Sequence, residues 1–447
     1  MDVGAICQLS AAQAADHLRE GELSAEEYAR GCVERIAEHE ERVQAWAFFD
    51  PAHALEQART LDDMRAMGRP IGPLHGVPVG IKDIIDVRGM PTGDGTPLHA
   101  GRIAMKDATL VSRLREAGAV IMGKTVTTEL ATYAPGKTRN PHNPEHTPGG
   151  SSSGSAAAVA IGMVPLAVGT QTNGSVLRPA AYCGVVGFKP SFGLISRHGV
   201  LTQSPPLDQV GVFARTVEDA ALLAQTLAGF DEADAATRPM PRPPLARIAA
   251  EAPPLPPTLA FVPTPMWDDA AADTREAFAE LVEFLGERVR RFDLPEKSRE
   301  ALEWHRLIME ADLAGSFERE YETGRDQLSG SLRAQIERGR QVLAVDYRRA
   351  LARVPILNNG FEPLFDEFDA ILTPATAGTA PAGLESTGSP MFCTLWTLCG
   401  MPCISLPLLT GENGLPLGLQ LIGRRGNDGR LLRTARWLSA TLAQASP

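Results

Sequence analysis

Two clusters rich in glycine and serine hold the residues best suited to chemistry in this chain. The first cluster, residues 149–154, reads GGSSSG, and the second, residues 169–175, reads GTQTNGS. Serine hydroxyls can serve as nucleophiles, and a glycine-rich backbone can present N–H groups to a developing negative charge. An Ala-rich segment typical of a helix and an apolar run typical of a strand lie between them. This order predicts that both clusters face one common point.

A lysine upstream of the clusters could supply a base. Lys82 follows Val79 and Ile81 in the segment GVPVGIKD, in a chain that contains few lysines and many arginines. Pro78 argues against a regular strand before Val79, so we place Lys82 at the end of a short buried strand. Burial lowers the pKa of lysine and favours the neutral amine. A solvated surface lysine is the alternative interpretation.

The residues around both clusters resemble those of the amidase signature family, whose members hydrolyse amides with a Ser-Ser-Lys triad. The resemblance covers most of the chain apart from about residues 230–365. The matching segments are GVPVGIKD at 76–83, LREAGA at 114–119, TPGGSSSGS at 147–155, GTQTNGSVLRPA at 169–180, CGVVGFKP at 183–190, LTP at 372–374, GMP at 400–402 and QLIGR at 420–424.

The resemblance implies catalysis through a serine acyl-enzyme. By motif position Ser175 matches the nucleophile, Ser151 the bridging serine and Lys82 the base. Because a hydroxyl can donate and accept at once, Ser151 could relay the proton from Ser175 to Lys82 and back to the leaving amine. The resemblance also implies a cis peptide bond between Gly150 and Ser151.

The residues that lead to the nucleophile supply the family's oxyanion hole. Each donor in such a hole can be worth about 2.7–4 kcal/mol of barrier. Gly150 and Ser152 are expected to support the site, and Ser152 to hold Lys82 or the loop. The backbone N–H groups implied as oxyanion donors are those of Thr172, Asn173, Gly174 and Ser175.

Three positions depart from the family pattern. Gln171 replaces the usual Asp, Asn173 replaces a Gly, and Leu177 stands where Arg is common, with Arg178 one place later. If that Asp and Arg pair in relatives, losing both avoids an unpaired buried charge. We therefore assign Gln171 a supporting role and expect the triad to stay intact. The departures argue against the A subunit of tRNA-dependent amidotransferases, whose loop usually keeps both residues.

Two other motif matches are rejected. Residues 118–125 fit the phosphate-binding pattern G-x-x-x-x-G-K-T, but the inner residues are apolar and predict a strand where that motif needs a loop. Residues 150–154 fit the G-x-S-x-G nucleophile elbow, which needs a preceding apolar strand. The preceding residues, NPEHTP at 143–148, cannot form one.

Composition limits the other function classes. The chain has 447 residues, 44% of them hydrophobic, and a net charge of −11, which argues against nucleic acid as a main ligand. We expect no metal or cofactor and no membrane span, and the N-terminus lacks a signal-peptide pattern, so a cytoplasmic location is expected. The cysteines show no C-x-x-C pair and are predicted to be buried free thiols: Cys7, Cys32, Cys183, Cys393, Cys399 and Cys403.

The pattern of elements predicts an α/β fold, a single large domain over 1–447 with one mixed sheet flanked by helices on both faces. Its signature core would span about 65–230 and 365–447, with a more variable helical segment at about 260–360. The finer predictions are two helices over 10–40 with N-caps at Ser10 and Ser24, a strand at 43–49, a helix from about Ala52, an exposed proline-rich connector at 238–257, mainly helix over 268–358, strand-like runs at 364–375 and 391–423, and a last helix at 429–442.

The expected activity is hydrolysis of a small-molecule carboxamide to an acid plus ammonia or an amine. One alternative is an A-type subunit that releases ammonia within an amidotransferase complex of several chains, and another is a non-catalytic binding protein. A homodimer is left open. The expected pocket walls, which could equally be helix packing, are Tyr133, Trp304, Leu307 and Met309.

Overall fold

A computed structural model describes residues 3–445 of the chain. Its centre is an eleven-stranded sheet with the order β1-β3-β2-β4-β6-β5-β10-β11-β9-β7-β8. The strands are β1 (Trp46–Phe49), β2 (Pro78–Lys82), β3 (Val120–Thr125), β4 (Leu166–Gln171), β5 (Val186–Lys189), β6 (Gln209–Ala214), β7 (Leu259–Phe261), β8 (Val289–Arg291), β9 (Ala370–Pro374), β10 (Cys403–Thr410) and β11 (Pro416–Ile422).

The sheet is mixed, as predicted. Strand β2 runs parallel to both of its neighbours, β3 and β4, whereas β4 and β6 are antiparallel. The last two strands of the chain, β10 and β11, lie between β5 and β9, so the C-terminal region completes the sheet interior. Parallel neighbours bring their carboxyl ends to the same edge, and β2 and β4 therefore end side by side.

Helices surround the sheet: α1 (Val3–Gln8), α2 (Ala11–Glu20), α3 (Ala25–Val43), α4 (Pro51–Ala66), α5 (Thr109–Glu116), α6 (Ser153–Ala160), α7 (Leu177–Cys183), α8 (Val217–Leu227), α9 (Leu245–Ala250), α10 (Ala272–Leu285), α11 (Glu300–Ser316), α12 (Glu318–Gly324), α13 (Gly330–Gly339), α14 (Ala344–Glu367), α15 (Met391–Leu398) and α16 (Asp428–Ala445).

Both faces of the sheet are covered. Successive side chains of a strand point to opposite faces. In β9, Ala370 and Leu372 join the apolar cluster that includes α2, α3, α8 and α16. Ile371 between them joins a second cluster, which includes α11, α13, α14 and α15. The predicted arrangement, one mixed sheet with helices on both faces, is confirmed.

The N-terminal predictions hold closely. Ser10 and Ser24 each close a capping box at the start of α2 and α3, because each hydroxyl accepts a backbone N–H of the first turn. Asp50 caps α4, which begins at Pro51, next to the predicted Ala52. Strand β1 occupies the second half of the predicted run at 43–49.

Three expectations need correction. The connector at 238–257 is mostly exposed, as predicted, but it contains the unexpected short helix α9, whose Leu245 and Ala249 are fully buried. The mainly helical region over 268–358 also contributes the edge strand β8. The run at 391–423 begins with helix α15, because a short apolar segment buried all round has no periodicity that separates helix from strand.

Across residues 3–445, no helix combines the length and the apolar character needed to cross a membrane.

Candidate active site

Lys82 ends β2 and is fully buried, as predicted. Its Nζ donates to Ser151 Oγ at 2.7 Å and to Thr170 Oγ1 at 2.8 Å. The second contact follows from the sheet, because β4 lies next to β2 and carries Thr170 near its carboxyl end. The structure therefore brings Lys82 and Ser151 together and adds Thr170, which the sequence analysis missed.

The surroundings of Lys82 favour its neutral amine. Burial lowers the pKa of Lys82 well below its usual value, and the positive charge of Arg178 lowers it further. The carboxylate of Asp208 acts in the opposite direction and raises this pKa. Since desolvation is the largest of these effects, the site favours an amine that can accept a proton.

Ser151 follows a cis peptide bond to Gly150, as the resemblance implied. Gly150 lies where no larger residue fits. A Cβ there would come within 2.7 Å of Thr387 Cγ2 and within 2.9 Å of Thr128 Cγ2. This crowding explains why glycine precedes the serine.

Ser152 ties the first glycine-serine cluster to β4. Its hydroxyl donates to the carbonyl of Thr170 at 3.2 Å and accepts the backbone N–H of Thr170 at 3.3 Å. Ser152 thus holds the segment that positions one partner of Lys82, and it makes no direct contact with Lys82 among the described residues.

Ser175 lies at the end of the second cluster, just before α7. Its carbonyl accepts the backbone N–H of Ser152 at 3.4 Å, so the two clusters meet. The N–H groups of Asn173, Gly174 and Ser175 find no acceptor within residues 3–445, which is the condition an oxyanion hole requires. The hydroxyl contact between Ser175 and Ser151, and the oxyanion role of residues 172–175, stay predictions.

Gln171 holds the loop together through its side-chain amide. Its Oε1 accepts the backbone N–H groups of Val176 at 2.8 Å and Leu177 at 3.0 Å. Its Nε2 donates to Thr397 Oγ1 of α15 at 2.9 Å. The amide oxygen therefore accepts the N–H groups at the start of α7, and the amide nitrogen donates to α15. An ionised aspartate could make the first kind of contact but could not donate to α15.

Asn173 is also held from two sides. Its Nδ2 donates to the hydroxyl of Tyr133 at 3.0 Å, and its Oδ1 accepts from Thr394 Oγ1 at 2.7 Å. The hydroxyl of Thr397 donates to the carbonyl of Asn173. Gln171 and Asn173, two of the residues that depart from the family pattern, are thus held in place by hydrogen bonds.

The sequence analysis expected this loop to avoid an unpaired buried charge, but Arg178 is buried. Its guanidinium is 1% exposed, and its Nη2 donates to the carbonyl of Gly150 at 2.7 Å and to Thr387 Oγ1 at 3.2 Å. Within residues 3–445 no carboxylate forms an ion pair with it. An unpaired buried charge is therefore present.

A narrow cavity beside Ser175 shares part of its wall with an outer cavity of about 410 Å³. Both are lined by Tyr133, Asn173, Met309 and Gln335. The expected wall residues Tyr133 and Met309 are confirmed as lining. Trp304 and Leu307 instead pack against the apolar cluster of α11, α13, α14 and α15.

His305 lines the outer cavity and was not singled out from the sequence. Its Nε2 lies 2.8 Å from the carbonyl of Thr172, which fixes the start of the loop. Burial lowers the pKa of His305 to about 4, although the contact with Thr172 raises it in part. The imidazole is therefore neutral at pH 7 and donates to that carbonyl.

The rejected phosphate-binding motif has a structural explanation. Residues 120–125 form β3, as predicted. Lys124 is buried, and its Nζ donates to Asp83 Oδ1 at 2.9 Å and to Thr92 Oγ1 at 2.9 Å. This lysine therefore links the loop that holds Asp83, through an ion pair, to the loop that holds Thr92, through a hydrogen bond.

The fold and the Lys82–Ser151 pair define a class of enzymes with a serine-lysine centre on a mixed sheet. A family model described as Amidase matches residues 27–432. The chain belongs to this family.

Among curated relatives, the A subunit of the glutamyl-tRNA(Gln) amidotransferase of Symbiobacterium thermophilum is 37% identical, over 96% of this chain and 95% of the relative. Among solved structures, the peptide amidase from Stenotrophomonas maltophilia has a TM-score of 0.84 at 29% identity, covering 98% of this chain and 97% of that one.

A further structure is described as "An unexpected vestigial protein complex reveals the evolutionary origins of an s-triazine catabolic enzyme". It has a TM-score of 0.90 at 26% identity, covering 97% of this chain and 98% of that one. The chain is thus similar over nearly its whole length to enzymes of the amidase family.

Proposed function

We propose that this chain cleaves the C–N bond of a small carboxamide through an acyl-enzyme on Ser175. The observation that carries the proposal is the contact between buried Lys82 and Ser151, with Nζ 2.7 Å from Oγ, at the junction of the two glycine-serine clusters. A lysine with a depressed pKa can serve as the base that a serine nucleophile needs.

In this mechanism the oxygen of Ser175 attacks the carbonyl carbon and its proton moves to Ser151. The proton of Ser151 moves in turn to the lone pair of Lys82, which becomes an ammonium. Collapse of the tetrahedral intermediate breaks the C–N bond, and the same route returns a proton to the leaving nitrogen. Water then attacks the ester on Ser175 by the same proton transfers and releases the acid.

The oxyanion would be bound by the backbone N–H groups of the loop before Ser175. The free N–H groups of Asn173, Gly174 and Ser175 support this role, as do the side-chain contacts of Gln171 that hold the loop. Thr170 would orient the amine of Lys82 through the second of its two hydrogen bonds.

A substrate screen tests the proposal. The purified chain is incubated with aryl, aliphatic, urea-like and peptide amides, and the acid product is detected by mass. Hydrolysis of at least one class, with an acyl adduct on Ser175 in rapid-quench samples, is the expected result. An adduct on another residue would refute the assignment of the nucleophile.

The second candidate is an A-type amidotransferase subunit that passes ammonia to another chain. The curated relatives favour it more directly than a free amidase, since relatives that are 34–37% identical carry that name. The loop departures at Gln171 and Leu177 had argued against it, and the contacts of Gln171 weaken that argument, because the loop is held without the Asp.

The two candidates differ in what the isolated chain can do. A free amidase should release ammonia or amine from several simple amides without any other protein. A subunit should act mainly on glutamine or asparagine and turn over slowly when alone. Measuring ammonia from glutamine beside ammonia from neutral aliphatic amides, with Ser175→Ala as the blank, separates them.

A further inference from the structure

Arg178 is a buried cation with no described counter-charge. It is the second residue of α7, and its Nε and Nη1 are buried without a hydrogen-bond partner in the described part of the chain. Charging a buried site without pairing costs several kcal/mol, and an apolar residue of similar size is often neutral or stabilising there. The fold therefore carries a cost that packing does not explain.

The ionisable groups around the guanidinium do not neutralise it. Those that face it are Tyr133, Tyr182 and Cys393. Burial raises the pKa of Tyr182 to about 12 and that of Cys393 to about 12, and it raises the pKa of Tyr133. All three are uncharged at neutral pH. Burial lowers the pKa of Arg178, but a guanidinium keeps its proton in proteins.

The guanidinium binds the glycine before Ser151 and lies near the glycine before Ser175. Its Nη2 binds the carbonyl of Gly150, which precedes Ser151. Its Nη1 lies 3.1 Å from the point where a Cβ on Gly174 would stand, and Gly174 precedes Ser175. One side chain therefore binds the first glycine-serine junction and fills the space beside the second, with its charge near the centre.

We propose that Arg178 is a positioning residue of this site, which fixes the Gly150–Ser151 peptide by hydrogen bonding and disfavours a second positive charge on Lys82. The inference rests on the proposed function of Ser175, Ser151 and Lys82. The charged groups that act on Lys82 are Arg178 and Asp208, with opposite signs, and its hydrogen-bond partners Ser151 and Thr170 are neutral.

Two variants separate the charge from the hydrogen bond. Arg178→Gln removes the charge and keeps a donor for the carbonyl of Gly150, and Arg178→Met removes both. Without the repulsion, the pKa of Lys82 should rise, so the acid limb of the activity profile should move to higher pH by about half a unit or more in both variants. At the alkaline plateau the Met variant should be the slower one, by about tenfold, because only it lacks the donor.

The Tm of the variants distinguishes a positioning role of Arg178 from a purely structural role. Since the unpaired charge is costly, Arg178→Met should keep or raise the Tm while activity falls. Arg113→Gln is the matched control, because Arg113 is also buried but donates to the backbone carbonyls of Leu227 and Phe230. It should lower the Tm and leave the acid limb in place.

Asp208 must be separated from Lys82, because burial raises the pKa of Asp208 to about 6. The Arg178→Gln change is therefore also made in an Asp208→Asn background, where the upward shift should persist. The rate at which phenylmethanesulfonyl fluoride modifies Ser175, followed by intact mass, gives a second profile that needs no substrate.

The outcomes distinguish the two proposals. If the unaltered chain neither hydrolyses any amide nor reacts at Ser175, the proposed function fails. If it does react but both Arg178 variants keep the original acid limb, the inference about Arg178 is overturned. Failure of both variants to fold would mark Arg178 as structural and overturn it as well.

Discussion

At the scale of single residues, the site depends on one lysine that is kept out of water. Lys82 lies in the sheet interior, and among residues 3–445 its amine bonds only to the hydroxyl groups of Ser151 and Thr170. An exposed lysine would stay protonated at neutral pH and could not serve as a base. The chemistry therefore depends on where β2 ends.

Replacing the proposed nucleophile is the most direct test at this scale. Ser175→Ala should lower hydrolysis by at least about a thousandfold and leave the Tm nearly unchanged, because only the attacking oxygen is lost. Product formation and thermal unfolding are measured together. Ser155→Ala is the matched control, since Ser155 bonds Thr125 and the carbonyl of Val168 away from the centre. More than a few per cent of residual turnover in Ser175→Ala would contradict the assignment.

The pH profile tests the base. The proposed mechanism requires neutral Lys82, so activity should rise with pH through the lowered pKa of this lysine and then reach a plateau. Lys82→Arg should be almost inactive at every pH, because a guanidinium does not deprotonate. Initial rates from acid to alkaline pH are the measurement.

A histidine base is the competing explanation for such a profile. Replacing His75, His142, His146 and His198 one at a time should leave the shape of the profile unchanged. If one of these changes removed the acid limb while Lys82→Arg stayed active, the base would be that histidine.

Sequence reasoning found the motif residues and missed their neighbours. Lys82, Ser151 and Ser175 stand in recognisable spacing, and Gly150 was expected to precede a cis bond. The loss of both the Asp and the Arg of the family pattern was expected to avoid an unpaired buried charge, but the structure buries Arg178, one place later, without a carboxylate partner in the described residues. Whether a side chain turns inward depends on packing around α7, which adjacent residues in the sequence do not encode.

At the scale of elements, local signals predicted the starts of helices well but missed a short helix in a connecting segment. Ser24 with Glu27 marks the start of α3 because the interaction is local. By contrast, α9 was not predicted, because the prolines on both sides of it dominate the local composition. Its buried face packs against α8 and α16, and α16 lies far from it in the sequence.

An ion pair between two loops gives a prediction at this scale. Arg197 Nη2 lies 2.8 Å from Asp234 Oδ1, and both side chains are largely buried. Burial raises the pKa of Asp234, but Arg197 and backbone N–H groups outweigh it and lower this pKa to about 2. The pair therefore contributes stability above about pH 4, which is lost as pH falls towards 2.

Asp234→Asn should thus lower the free energy of unfolding by about 2 kcal/mol near neutral pH. The loss should shrink as pH falls towards 2, and urea unfolding at pH 7 and pH 3 measures it. Asp16→Asn, which breaks an exposed pair with Arg19, should change little at either pH. An equal loss at both pH values would show that the Arg197 charge is not the cause.

At the scale of the whole molecule, the cysteines report on the integrity of the core. All six are free and buried, as predicted. Burial raises the pKa of Cys399 to about 12 and that of Cys403 to about 11, so these thiols are not thiolates at neutral pH.

A thiol reagent should therefore leave Cys393, Cys399 and Cys403 unmodified in the folded chain and react with all six cysteines after denaturation. Absorbance on reaction with a disulfide reagent, with and without guanidinium chloride, measures the count. Rapid reaction of Cys393, Cys399 or Cys403, located by peptide mapping, would mean that the C-terminal part of the sheet opens in solution.

The position of β10 and β11 inside the sheet has a consequence for folding during synthesis of the chain. A ribosome delivers the serine clusters and Lys82 early, but Thr394 and Thr397 of α15, which hold Asn173 and Gln171, emerge only near the end of synthesis. Until β10 arrives, the edge of β5 has no partner on that side. In the proposed mechanism the loop before Ser175 is therefore fully held only late in translation, and a product that ends before α15 would leave this edge of β5 unpaired.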